Sequence, residues 1–217
     1  PEPQAASWTQ PLKTAFGQIG RISELKKIIC LAVGVNLIVG VTLASSAAMV
    51  IDSFGQSKDF YAGLQAAGAL LTIVILFVLA RVELPLRLLG GLSYSVIVLG
   101  ALLTATGAES EMYLLGFLLI VGFDKMFNVY MRTLRQRVIP VRDFGKTVGV
   151  ITLLNNLSQP LAGLLVGVLT APLGLRGVIL VLALLSGVIG IGVAVWLGRP
   201  LRRPSSREDC TDARRMS

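Results

Sequence analysis

The chain has 217 residues, 54% of them hydrophobic and 15% charged, with a mean hydropathy of +0.76 and a formal net charge of +8. So much apolar surface exceeds what a soluble domain can cover, which excludes a soluble globular enzyme and points to a membrane protein with several spans. Histidine is absent, which removes His-based triads, most catalytic zinc sites and the usual pH switch.

Taken in order, the chain begins with proline, and residues 1–27 are too polar to hold the apolar region of a secretory signal. They read as a cytoplasmic linker of a fragment or processed piece. Trp8, Leu12, Ala15, Phe16, Ile19 and Ile22 recur at helical spacing, which predicts a helix lying on the membrane surface. Gly17 and Gly20 weaken it, so a flexible linker is the other reading.

Six apolar runs follow within a transmembrane domain over 28–198: Ile28 to Val50, Tyr61 to Ala80, Leu88 to Thr106, Met112 to Met131, Thr147 to Thr170, and Gly177 to Leu197. Each is near the roughly 20 residues a helix needs to cross about 30 Å of hydrocarbon. Pro85, Pro140, Pro172 and Pro200 fall in connectors or just past a span, and Pro160 alone sits inside one. Counting lysine and arginine on alternate sides puts seventeen with the two chain ends and only Lys58 and Arg176 opposite, leaving Lys125 inside a run. That asymmetry predicts six spans with both termini cytoplasmic, and assigns the positive charge to orientation and anionic lipid, not to nucleic acid. Tyr61 and Tyr113 are then expected at the outer interface, and Tyr130 and Trp196 at the inner one. Cys30 and Cys210 share the cytoplasmic side, where a structural disulfide is not expected. Residues 199–217 are polar and read as a disordered tail.

The chemistry concentrates around Leu114 to Gly149, where a span meets Arg132, Arg135, Arg137, Arg142 and Lys146. Asp124, Lys125 and Asn128 lie just inside that boundary, and charge at membrane depth raises a functional hypothesis by default. Asp124, Asn128 and Arg132 share a helix face, while Lys125 is turned about 100° from Asp124 and is expected not to face it. Asp124 serves as a substrate contact, proton-coupled carboxylate or gate charge, or else pairs structurally with a neighbouring helix. In the fifth span, Asn155, Asn156, Ser158 and Gln159 precede Pro160, which predicts a kink or local break near Asn156. Those polar groups either satisfy the freed carbonyls or line a path at a hinge. Gly163 with Gly167, Ser186 with Gly190, and Gly34 suit close helix packing. Gly145, Lys146 and Thr147 imitate the end of a phosphate-binding loop, but Pro140 stands where its first glycine belongs. No cofactor or metal pattern is present, and Asp124 lacks the acidic partner a membrane hydrolase without histidine would need.

The stretch YMRTLRQRVIPVRDFGKTVG, Tyr130 to Gly149, running on into VITLLNNLSQPLAGLLVG, resembles the tenth span, inner loop and eleventh span of bacterial efflux members of the major facilitator superfamily. The likeness covers Ile28 to Leu197, while Ala80 to Arg87 keeps only a degenerate form of the family's Asp-Arg loop pattern. It implies an all-α membrane protein, the carboxy-terminal six-helix half of that fold, in a bacterial inner membrane. It further implies proton-driven export of a small molecule, such as a drug or siderophore, by alternating access with an amino-terminal half or second copy as partner. Candidate path or coupling residues are then Asp124, Lys125, Asn128, Asn155, Asn156 and Gln159, with Gln65 and Asn36 from the second and first spans. The gate and loop candidates are Arg132, Arg135, Arg137, Pro140, Gly145 and Lys146, with Pro160 as hinge. The alternative is a non-transporting scaffold or regulatory protein built on the same unit.

Overall fold

The computed structural model describes residues 16–17, 19–20, 22–107, 109–139 and 144–198, with side chains as far as residue 195. Every regular element among them is a helix: α1 (Ser23–Ala47), running on as a π-helical turn (Ala48–Ser53), α2 (Lys58–Arg81), α3 (Leu86–Thr106), α4 (Ser110–Val138) and α5 (Phe144–Gly198). All five helices are long and apolar enough to cross a membrane. Phe16, Gly17, Ile19 and Gly20 are helical, with Ile19 packed on the main core; the rest of the expected surface helix lies outside the described residues, as does the tail.

Apolar runs become helices here because hydrocarbon offers backbone groups no partner, so each N–H must find its carbonyl within the same segment. The start of α2 is fixed by Ser57, whose hydroxyl accepts from the Phe60 N–H at 3.1 Å. Along α2 only Leu64 and Gly68 are buried. Leu70, Ile73 and Phe77 are 63%, 62% and 60% exposed, an apolar sheath that suits lipid tails and would be a liability in water.

α5 differs most from expectation. Its 55 residues would extend about 80 Å as one rod, far more than one crossing uses. The backbone leaves the helical region at Gly174 (φ 69°, ψ 161°), a conformation essentially reserved for glycine. The chain folds back there. Gly40 of α1 meets Gln159 and Ala162 of the first arm, 144–173, whereas Val41 packs with Val178, Ile179 and Leu182 and Gly34 meets Ser186 of the second arm, 175–198. The first arm therefore runs along α1 and the second runs against it. The connector expected around Pro172 shrinks to a single non-helical residue, and Pro172 itself lies within the helix. The backbone also stays helical through Pro160, so the break expected near Asn156 is absent. The carbonyl that Pro160 leaves without a donor belongs to Asn156, an exposed residue on the cavity wall.

α4 runs past the expected end at Met131 to Val138, so Arg132, Arg135 and Arg137 belong to its final turns and not to a loop. Arginine, leucine and glutamine are good helix formers, and cations complement the carbonyl end of a helix.

Packing is set by small residues. Gly100 of α3 and Gly116 of α4 face each other so closely that a Cβ on Gly100 would lie 2.9 Å from the Gly116 carbonyl oxygen. Behind α1, the Ser186 hydroxyl donates to the Gly34 carbonyl at 3.0 Å and the Tyr94 hydroxyl donates to the Ser186 carbonyl at 2.6 Å, tying α1, α3 and the second arm of α5 together. The expected Gly163 and Gly167 surface meets nothing within 4 Å. Tyr113, in the first turn of α4, is fully buried against Phe54, ring centroids 5.5 Å apart. Tyr130 is half-buried over Gly90, and the side chain of Trp196 lies outside the described residues.

The two kinds of glycine predict opposite outcomes in mixed-micelle unfolding. Gly174→Ala loses about 1–3 kcal/mol by forcing a side chain into the left-handed region. Gly167→Ala, helical and unopposed, holds or gains up to about 1 kcal/mol.

Candidate functional site

Three helices leave a cavity of about 530 Å³ between them. α1 contributes Asn36; α4 contributes Asp124, Lys125, Asn128, Met131, Arg132 and Arg135; the first arm of α5 contributes Phe144, Val148, Thr152, Asn156 and Gln159. The spacing explains the convergence: on α4 the residues follow one face at steps of three and four, and on α5 they follow i, i+4 from Phe144 to Asn156 and then Gln159. Volumes of this order suit small-molecule sites, although these walls are unusually polar for one.

Asp124 is the best-buried ionisable group in the lining, 7% exposed. Both its oxygens are engaged. The Lys125 ammonium donates to Oδ2 at 2.8 Å, and the Asn128 amide donates to Oδ1 at 3.0 Å and to the Asp124 backbone carbonyl at 2.9 Å. This corrects the expectation that Lys125 would not face Asp124. The 100° step holds for the two Cβ atoms, but the flexible four-carbon stem of lysine bends its ammonium back across that angle. The Lys125 side chain remains 52% exposed against 10% for Asp124, so the pair has an open end and a buried end.

The guanidinium groups at the other end of the α4 face are treated differently. No carboxylate among the described residues pairs with Arg132 or Arg135, and the buried Arg135 Nε meets no hydrogen-bond acceptor.

Of the path candidates read from the sequence, Asn36, Asp124, Lys125, Asn128, Asn156 and Gln159 come together here, joined by Arg132 and Arg135 from the gate group. Gln65 stands elsewhere, donating to the Tyr61 hydroxyl at 2.7 Å, which in turn bonds the Ser46 hydroxyl at 2.8 Å and ties α2 to α1. Asn155 is buried outside the lining with its Oδ1 unpartnered. Arg137 sits in the last turn of α4, Gly145 and Lys146 are exposed in the first turn of α5, and Pro160 is exposed one residue beyond Gln159; none of them lines the cavity, and Pro140 lies outside the described residues. Met131, Phe144, Val148 and Thr152 were not singled out from the sequence. Stepping back from Asn156 by fours finds the last three, and stepping seven from Asp124 finds Met131.

Comparison of the chain with protein-family models, curated proteins and solved structures finds no match.

Thiol labelling checks the lining. With Cys30 and Cys210 replaced by serine, Asn156→Cys and Gln159→Cys should react with a water-soluble maleimide, while the buried neighbour Asn155→Cys reacts about tenfold more slowly or less, since only an accessible, hydrated thiolate attacks. Equal rates at all three positions would remove the cavity.

Proposed function

We propose that the chain is the carboxy-terminal six-helix half of a secondary active transporter of the major facilitator type, exporting a small molecule across a bacterial inner membrane at the expense of a proton gradient. The observation that carries this reading is the cavity itself: a carboxylate and four amides, Asp124, Asn36, Asn128, Asn156 and Gln159, converge from three helices of an otherwise apolar bundle. Polar groups at that depth are costly unless they serve a path through the membrane. Six crossings are supported by the fold-back of α5 at Gly174 and by the one-sided distribution of lysine and arginine, which also favours cytoplasmic termini.

The pair at Asp124 supplies a coupling device. A proton added to Oδ2 removes the charge that holds the Lys125 ammonium, freeing a side chain that already reaches the open cavity. Loading and releasing that proton on opposite sides of the membrane then biases the cavity between two arrangements. Thr152, Asn156 and Gln159 are exposed on the cavity side, so a second helical unit, an amino-terminal half or another copy, covers them in the working assembly.

Reconstitution in vesicles with an imposed pH gradient tests this. In the complete assembly, Asp124→Asn should slow flux by about tenfold, the scale of a typical coupling free energy, and flatten its pH dependence. An unchanged rate with an unchanged pH profile takes Asp124 out of the mechanism. Flux through a demonstrated monomer of this chain alone would refute the need for a partner.

A further inference from the structure

The charges in the cavity do not cancel. Asp124 is already satisfied by Lys125 and Asn128, so the field that a ligand meets is set by Arg132 and Arg135. These two lie one helical turn apart on the same face, and neither has a carboxylate partner among the described residues. Two like charges at that spacing repel each other, and a charged donor left buried without an acceptor, as Arg135 Nε is, costs more than a neutral one. An anion placed between them relieves both penalties. The planar guanidinium offers two parallel donors that match a carboxylate or phosphate, a fit lysine lacks.

We propose that this cavity is an anion site, in which Arg132 and Arg135 grip the carboxylate or phosphate group of a small organic anion while Asn36, Asn156 and Gln159 bind its neutral body. The eleven residue steps from Asp124 to Arg135 span about 16 Å of helix, room for an elongated molecule with its charge at one end. The assignment rests on reading the cavity as a transport site and names the class of its substrate. A cation of the same size meets two arginines that no carboxylate among the described residues pairs with, and is rejected. The same anionic oxygens are also carried by phospholipid headgroups, which juxtamembrane arginines attract.

The test uses the purified 217-residue chain in nanodiscs and fluorescence polarisation at fixed ionic strength. Carboxyfluorescein serves as the anionic probe and rhodamine 6G as a cation of similar shape. In phosphatidylcholine discs carboxyfluorescein should bind saturably. Arg132→Gln and Arg135→Gln should each weaken it by about tenfold or more, the scale of one lost charge-assisted hydrogen bond. Arg135→Lys, which keeps the charge but not the fork, should fall between, and this guards against a variant that merely misfolds. Discs containing phosphatidylglycerol separate the two sources: dye binding to the unmodified chain that is lost in these discs assigns the site to a lipid headgroup and overturns the small-anion assignment, and undiminished binding supports a soluble anion. Absence of saturable binding, binding indifferent to both glutamine variants, or tighter binding of rhodamine 6G overturns the proposal. Because binding is scored without flux, an anion site on a chain that moves nothing leaves this inference standing and sinks the transport reading. Flux of a cation without anion binding does the reverse.

Discussion

Hydrocarbon is a solvent that forms no hydrogen bonds, and most of what is distinctive in this chain follows from that constraint. Backbone polarity must be settled within each segment, so the apolar runs are helices, and a helix can use only about 30 Å of thickness. α5 carries more than twice the residues one crossing needs, and its backbone turns at Gly174, the one residue in it with a non-helical conformation. The fold-back has two consequences. The second arm locks onto α1 and α3 through Ser186, Gly34 and Tyr94, and the first arm is left beside α1 and α4 with its polar stripe facing a cavity.

The same constraint governs the side chains. Asp124 is held by an ammonium and an amide from its own helix, so its charge needs nothing from a neighbouring helix. That local satisfaction distinguishes it from a packing charge, which would find its partner across an interface. It also leaves α1 and α5 free to supply uncharged amides. Along α2 most side chains face outward, an apolar wall that suits contact with lipid tails. The bundle thus has an apolar outer wall along α2, a close-packed glycine crossing between α3 and α4, and a polar cleft between α1, α4 and the first arm of α5.

Much of this was legible in the sequence. The positions of the apolar runs needed only hydropathy and length, and counting by fours from Asp124 reaches Asn128 and Arg132, part of the α4 wall. Other features were not legible, for physical reasons. The crossing of Gly100 with Gly116 pairs glycines on different helices, whereas the spacing in Gly163 and Gly167 advertises a surface where a Cβ meets nothing within 4 Å among the described residues. Helical periodicity places Cβ atoms, not the ends of long side chains, so the Lys125 contact was lost. Phe144 and Val148 look like ordinary span residues until the stripe they share with Asn156 is seen to face α4. Arginines in a run of good helix formers extended α4 where a loop was expected.

The reversal of direction at Gly174 underlies the cavity, the lock on α1 and the proposed count of crossings, and it can be observed directly. In a cysteine-free background, Lys146→Cys marks the start of the first arm of α5 and Arg176→Cys lies just past its far end, in the first turn of the second arm. A membrane-impermeant maleimide added to intact cells should label Arg176→Cys and reach Lys146→Cys only after the membrane is permeabilised. If both positions label from the same side of the membrane, the arm does not cross it, and the account of the fold and of its cavity is contradicted.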